Sequence, residues 1–148
     1  MKRFFDLTFG LFLLILLIIP MLLIAVAVRV TSLGPIIYWS ERVGTDNVVF
    51  KMPKFRSMCK ETPDVATNEM INPSEFLTPI GGFLRRNSLD ELPQLFSIIK
   101  GDMSFVGPRP ALFNQDDLIA LRSAEFKLVS LLPGLTGWAQ INGRDDLS

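Results

Sequence analysis

The sequence predicts an α+β protein: a membrane-inserted helix over residues 1–30, then a small, mostly helical cytoplasmic domain over residues 31–148 with a short β element. Three observations carry that prediction. Leu7 to Val28 form a nearly unbroken apolar run. Two short stretches rich in branched and aromatic residues, Ile36–Trp39 and Val48–Phe50, flank a polar turn. Asp90 to Ile99 carries helically spaced apolar residues and closes on Lys100-Gly101, a basic last turn followed by a glycine stop.

Composition narrows the chemistry. A chain of 148 residues holds one modest domain, and its 49% hydrophobic content owes most of its excess to the Leu7–Val28 run. The formal net charge is zero, so no global field draws in nucleic acid, and no nucleic-acid partner is expected. One cysteine, Cys59, permits neither an intrachain disulfide nor a cysteine-based zinc site; it has no motif around it and reads as structural. The chain has no histidine, which excludes histidine acid–base chemistry and histidine metal ligation. Catalysis is left to carboxylates, Lys or Arg, hydroxyls or the thiol.

The apolar run spans about 22 residues, enough at ~1.5 Å per residue to cross a ~30 Å hydrocarbon core. Its Leu, Ile, Val and Phe residues favour insertion by about 5 kcal/mol or more. Pro20 removes a helical hydrogen bond and predicts a kink. Lys2 and Arg3 on one flank and Arg29 on the other both prefer the cytoplasmic face. A re-entrant helix broken at Pro20 satisfies both ends, and a straight span is the simpler alternative. A cleavable leader is a third, with Met1-Lys2-Arg3 as its basic start and Ala25-Val26-Ala27 as its cut.

Gly34-Pro35 marks a turn into the first β segment, and Thr45-Asp46-Asn47 turns the chain into the second. Lys54 and Arg56 then flank Phe55 in a basic stretch, which by itself reads as an edge snorkelling onto anionic headgroups. Lys60 to Pro79 read as loop, and Ile80–Arg86 as a short helix burying Phe83 and Leu84. Apolar residues from Leu118 to Leu132 suggest a longer amphipathic helix stopped by Pro133-Gly134, before a glycine-punctuated tail.

Ser88-Leu89-Asp90-Glu91 fits an N-cap pattern, so in the structural reading Ser88 or Asp90 caps a helix and Glu91 complements its dipole. The functional reading uses the same residues. Helix N-termini bind phosphate, and Mg²⁺ relieves the repulsion of adjacent carboxylates by bridging them to phosphate oxygens. Arg85 and Arg86 lie about one turn back, where they screen a pyrophosphate. A carboxylate can attack phosphorus without a base to deprotonate it. Arg109, held between Pro108 and Pro110, is either a rigid turn or a preorganised phosphate contact. Asp102 is expected to orient that turn. Arg144 is a weaker candidate for a nucleotide contact.

These residues resemble the bacterial sugar transferases, specifically the small monotopic phosphoglycosyl transferases of the inner membrane. The resemblance runs from Lys2-Arg3-Phe4-Phe5-Asp6 to the last residues, through Pro20, Gly34-Pro35, Glu41-Arg42-Val43-Gly44 and Lys54-Phe55-Arg56-Ser57-Met58. Its strongest blocks are Ser88 to Leu95, Gly101 to Pro110 and Pro133 to Arg144. It implies transfer of a phospho-sugar from a UDP-sugar to a polyprenol phosphate such as undecaprenyl phosphate, releasing UMP, as the first membrane step of surface-glycan assembly. Asp90 would be the covalent nucleophile, Glu91 would help hold Mg²⁺ beside it, and Arg85 would meet the lipid phosphate. Beside these, Lys54, Arg56, Arg109 and Arg144 are the residue-level candidates for phosphate or substrate contact. The apolar helix would be re-entrant, breaking at Pro20 within the membrane lipid, with the domain in the cytoplasm; a second copy of the chain is held open as a partner. Two departures stand out. Thr78-Pro79-Ile80-Gly81-Gly82 lacks the basic residue that members often carry after the first glycine. Members also continue past the position of Ser148, so a C-terminally shortened domain is expected, with an inactive membrane-anchored remnant that binds nucleotide-sugar or partner enzymes as the alternative.

Overall fold

The computed structural model describes residues 1–60, 62, 72–115, 119–120, 123–124 and 129–141. Helix α1 (Lys2–Thr31) contains Pro20 and stays helical on both sides of it, so the expected break is not a gap in the helix. Asp6, Gly10, Met21 and Val28 are buried on one face, and Leu13, Leu14, Leu17, Ile24 and Ala25 pack beside them at three- and four-residue steps. The other face (Phe12, Ile15, Ile19, Leu22 and Val26 among others) is exposed and equally apolar.

Both ends of α1 are tied to the same domain. At the N-terminal end Lys2 Nζ donates to Val106 O at 2.9 Å, and the Arg3 guanidinium donates to Ile98 O and Ile99 O. Asp6, 1% exposed, accepts from Ser104 Oγ at 2.9 Å and from the Phe105 N–H at 3.3 Å. At the C-terminal end Arg56 donates to Ser32 O at 2.8 Å, Ser32 Oγ at 2.6 Å and Leu33 O at 2.9 Å. Ile24 and Ala25 pack against the same core as Val28, which is fully buried. A cut after Ala27 would remove Met21, Ile24 and Ala25 from that core.

Strands β1 (Ile37–Val43) and β2 (Val49–Phe55) form an antiparallel hairpin in register from Ile37↔Phe55 to Val43↔Val49. The hairpin is longer than expected, because the basic stretch after Phe50 continues the strand. Pro53 is tolerated there because a two-stranded sheet consists of edges. Helix α2 (Gly81–Arg86) buries Leu84 but leaves Phe83 56% exposed, against the expectation that both are buried. Consecutive helical residues point in different directions, and a single turn has only one covered face.

The helix expected from Asp90 starts later. Ser88 takes a left-handed φ of 54° and makes no side-chain cap; a 3₁₀ turn follows over Leu89–Glu91, then α3 (Gln94–Lys100). Pro93, at φ −61°, stands just before α3, where its missing N–H costs nothing. The glycine stop holds: Gly101 has φ 106°, and its N–H and those of Asp102 and Met103 all reach Ser97 O. Asp102 pairs with Lys100 at 2.8 Å.

Strand β3 (Ser104–Val106) runs parallel to β4 (Gly134–Thr136), a pairing the sequence pattern did not reveal. A side chain on Gly107 or Gly134 would run into the other's backbone, so this approach needs glycine on both sides. A short helix α4 (Trp138–Ile141) follows. Of the expected amphipathic helix over 118–132, residues 119, 120, 123, 124 and 129 are helical, 130–132 are not, and the rest lie outside the described residues; so does half of the 60–79 loop, which carries a 3₁₀ turn at Pro73–Phe76. Two core clusters form, Met52-Leu95-Ile98-Met103-Phe105 and Met21-Val28-Phe55-Leu84, and Leu17 of α1 packs against both.

Asp6→Ala would leave the Ser104 hydroxyl and the Phe105 N–H buried without an acceptor, at about 1–3 kcal/mol each. We expect a detergent-solubilised Asp6→Ala protein to melt several degrees lower, measured by thermal denaturation, whereas Phe83→Ala should change the melting point little.

Candidate functional site

The acidic pair sits where the 3₁₀ turn passes under β2. Lys54 projects from β2, and its Nζ lies 2.8 Å from Glu91 Oε1, with the two side chains 17% and 22% exposed. Asp90 is 6% exposed. Burial raises the Asp90 carboxyl above its ordinary value; Lys54 opposes that shift, Glu91 adds to it and Arg85 opposes it. Burial likewise lowers the Lys54 ammonium, with its pairing to Glu91 acting in the other direction. The site is therefore a desolvated carboxylate held among cations rather than a helix N-terminus: α3 begins at Gln94 and has only seven residues.

Two cavities meet at Glu91. A small polar cleft of ≈ 30 Å³ is lined by Arg42, Lys54, Glu91, Gln94 and Arg109. On the other side a larger groove of ≈ 350 Å³ extends from Glu91 to Leu13 and Leu17 of α1. Asp90 lines neither cavity; Glu91 lines both.

Among the residues singled out from sequence, the structure brings Lys54, Asp90, Glu91 and Arg109 together. Arg85 is near enough for its charge to act on Asp90, and its Nη1 lies 3.3 Å from Met58 Sδ. Arg56 is not brought to the acidic pair: its guanidinium fastens the end of α1 through Ser32 and Leu33. Pro20 lies in α1, away from the charged residues, Cys59 is exposed, and Arg144 lies outside the described residues.

Sequence reasoning missed Arg42 and Gln94. Arg42 donates from Nε to Ser40 Oγ at 2.9 Å and from Nη1 to Pro110 O at 3.3 Å, which links β1 to the Arg109 turn. The signal for it was strand alternation. In the observed register Arg42 pairs with Phe50 and Tyr38 with Lys54, so Arg42 and Lys54 share a sheet face.

No group of three or more metal-ligating side chains occurs among the described residues. Two adjacent carboxylates are instead the sparse donor set that Mg²⁺ accepts when phosphate oxygens and water complete its octahedron.

The family model for bacterial sugar transferases matches residues 1–148. The chain belongs to the bacterial sugar transferase family. Similar members of the family include an undecaprenyl-phosphate glucose phosphotransferase from Komagataeibacter xylinus, 41% identical over 99% of this chain and 30% of that protein. A UDP-glucose:undecaprenyl-phosphate glucose-1-phosphate transferase from Escherichia coli K12 is 43% identical over 88% of this chain and 29% of its own length. The sugar transferase EpsL of Bacillus subtilis 168, described as uncharacterized, is 38% identical over the whole of this chain and 71% of its own. The chain thus spans about 30% of the first two relatives and most of the third.

The raised Asp90 value has a consequence for stability. The folded site holds the Asp90 proton more tightly than the unfolded chain does. The stability this contributes is complete below the ordinary carboxylate value of ~3.9 and is lost as pH rises through the folded value. Asp90→Asn should therefore melt a few degrees above the parent at pH 7, and the gap should close toward pH 4. In a Lys54→Met background the gap at pH 7 should widen, because the main cation opposing the shift is gone. Melting curves across that pH range check both.

Proposed function

We propose that this chain carries the catalytic centre of a sugar-1-phosphate transferase that moves a phospho-sugar from a UDP-sugar to a polyprenol phosphate, releasing UMP. The observation that carries this reading is the placement of the acidic pair. Asp90 lies desolvated among cations, and its neighbour Glu91 stands between a cation-lined cleft and a groove reaching an apolar helix. Relatives named for glucose phosphate transfer to undecaprenyl phosphate agree with that division into a charged substrate and a lipid substrate.

In the first step an Asp90 carboxylate oxygen attacks the sugar-bearing phosphorus. The P–O bond to the uridylyl phosphate breaks, and UMP leaves with the bonding pair. In the second step an oxygen of the polyprenol phosphate attacks the same phosphorus and expels the Asp90 carboxylate, giving the polyprenyl diphosphosugar. Both nucleophiles are already anions, so neither step needs a histidine base, and the chain has none. Burial leaves the Asp90 anion poorly solvated and hence more reactive, while Lys54, Arg42 and Arg109 offset the charge of the diphosphate. Asp90 and Glu91 would hold Mg²⁺, which when bound supplies charge neutralisation for the departing phosphate. Lys54 holds Glu91 in place through its hydrogen bond to Oε1 at 2.8 Å.

The same reading places α1 in one leaflet of the bacterial inner membrane, entered from the cytoplasmic side. A helix of 30 residues is ~45 Å long, yet Lys2, Arg3 and Asp6 at one end and Ser32 and Leu33 at the other all bond the same polar domain. A straight span would draw that domain into hydrocarbon. Lipid against the exposed apolar face and protein against the other satisfies both faces.

Intact-mass spectrometry of the Mg²⁺-loaded protein with a panel of UDP-sugars and no acceptor tests the chemistry. The expected result is a sugar-phosphate adduct that maps to Asp90 and is absent in Asp90→Asn. Because Glu91 is the carboxylate that lines both cavities, an adduct on Glu91 would overturn the assignment of the nucleophile. Nucleotide binding by folded protein without any adduct would support a binding-only role.

A further inference from the structure

The larger groove beside Glu91 has two kinds of wall. Leu13 and Leu17 of α1, with Leu92, Leu95 and Phe105 of the domain, make it apolar over most of its length. Ser88, Glu91 and Thr136 give it polar groups as well. Its volume of ≈ 350 Å³ falls in the range of small-ligand pockets, roughly 300–1,000 Å³. Leu13 and Leu17 belong to the covered face of α1, whereas neighbouring Phe12, Ile15 and Leu16 lie on its exposed face. The groove therefore runs along the seam between the membrane helix and the domain, and it reaches the carboxylate that also faces the cationic cleft.

We propose that this seam is the seat of the acceptor lipid's first isoprene units, with the chain lying between α1 and α3 and its phosphate delivered at the Glu91 end. The inference rests on the transferase reading above and adds to it a defined path for the chain. An anion with a long apolar tail has to present its phosphate at the acidic pair while most of the tail stays in lipid, and this groove connects the two. The Lys54 ammonium on Glu91 and the Arg85 charge acting on Asp90 counter the repulsion between the arriving phosphate and the carboxylates. Lipid tails are as apolar as leucine, so the groove gains little by withdrawing the chain from the bilayer. Its contribution is orientation: it holds the phosphate at one approach angle to the reacting phosphorus and spares that entropy at the moment of attack.

The test uses the full chain in lipid nanodiscs and a polyprenyl phosphate carrying a diazirine on its first isoprene unit. Photolysis followed by peptide mapping should place the label on Leu13, Leu17 or Leu95. Excess undecaprenyl phosphate should suppress it, and equal phosphatidylglycerol should not. Thr136→Trp, which fills part of the groove, should reduce the labelling. Label confined to the outer face of α1, on Ile15 or Leu22, would overturn the proposal, as would equal suppression by phosphatidylglycerol. The readout does not depend on turnover. Groove labelling in a protein that never forms a sugar-phosphate adduct would contradict the transferase reading while leaving a lipid site. Adduct formation with labelling elsewhere would sink the groove alone.

Discussion

One apolar helix has to satisfy two environments at once, and the rest of the structure follows from how it is held. Helix α1 gives one face to the domain and leaves the other exposed and equally apolar. Asp6 takes the hydroxyl of Ser104 and the N–H of Phe105, while Arg3 takes the last carbonyls of α3, so the start of α1 fixes both the end of α3 and the start of β3. Arg56 does the corresponding work at the other end, through the carbonyls of Ser32 and Leu33. Without these ties the two core clusters would lose their shared wall at Leu17.

The charged site depends on that frame. Seating α3 against α1 fixes the 3₁₀ turn that precedes it, and the turn puts Glu91 against Lys54 and Asp90 underneath. Two features there run against stability: Ser88 sits in left-handed backbone that a serine seldom adopts, and Asp90 is a carboxylate deprived of solvent. Both features cost stability, and the surrounding packing has to overcome them.

Much of this was legible in the residues. The apolar run, the hairpin around Thr45-Asp46-Asn47, the Gly101 stop and the acidic pair with its nearby arginines follow from hydropathy, turn chemistry and charge, whereas the place of Lys54 beside that pair did not. What escaped was set by contacts distant in sequence. Strand β3 finds its parallel partner about thirty residues on, and only the mutual closeness of Gly107 and Gly134 hints at it. Ser88-x-x-Glu91 satisfies a local capping rule, yet Pro93 and the packing of Leu95 and Ile98 postpone the helix to Gln94. Arg56 looked like Lys54 in a basic stretch, but one lies within the strand and the other just past its end, facing α1. Arg42 became visible only once the hairpin register paired its row with that of Lys54.

The central claim is that both ends of α1 belong to one side of the membrane. Its most direct test puts single cysteines at Lys2 and at Leu33 in a Cys59→Ser background and exposes each to an impermeant maleimide in sealed, right-side-out and inside-out vesicles. The account predicts that both positions react only from the cytoplasmic side. Reaction of Lys2→Cys and Leu33→Cys from opposite sides would mean that α1 crosses the bilayer, and the anchoring of both its ends to one domain would be contradicted.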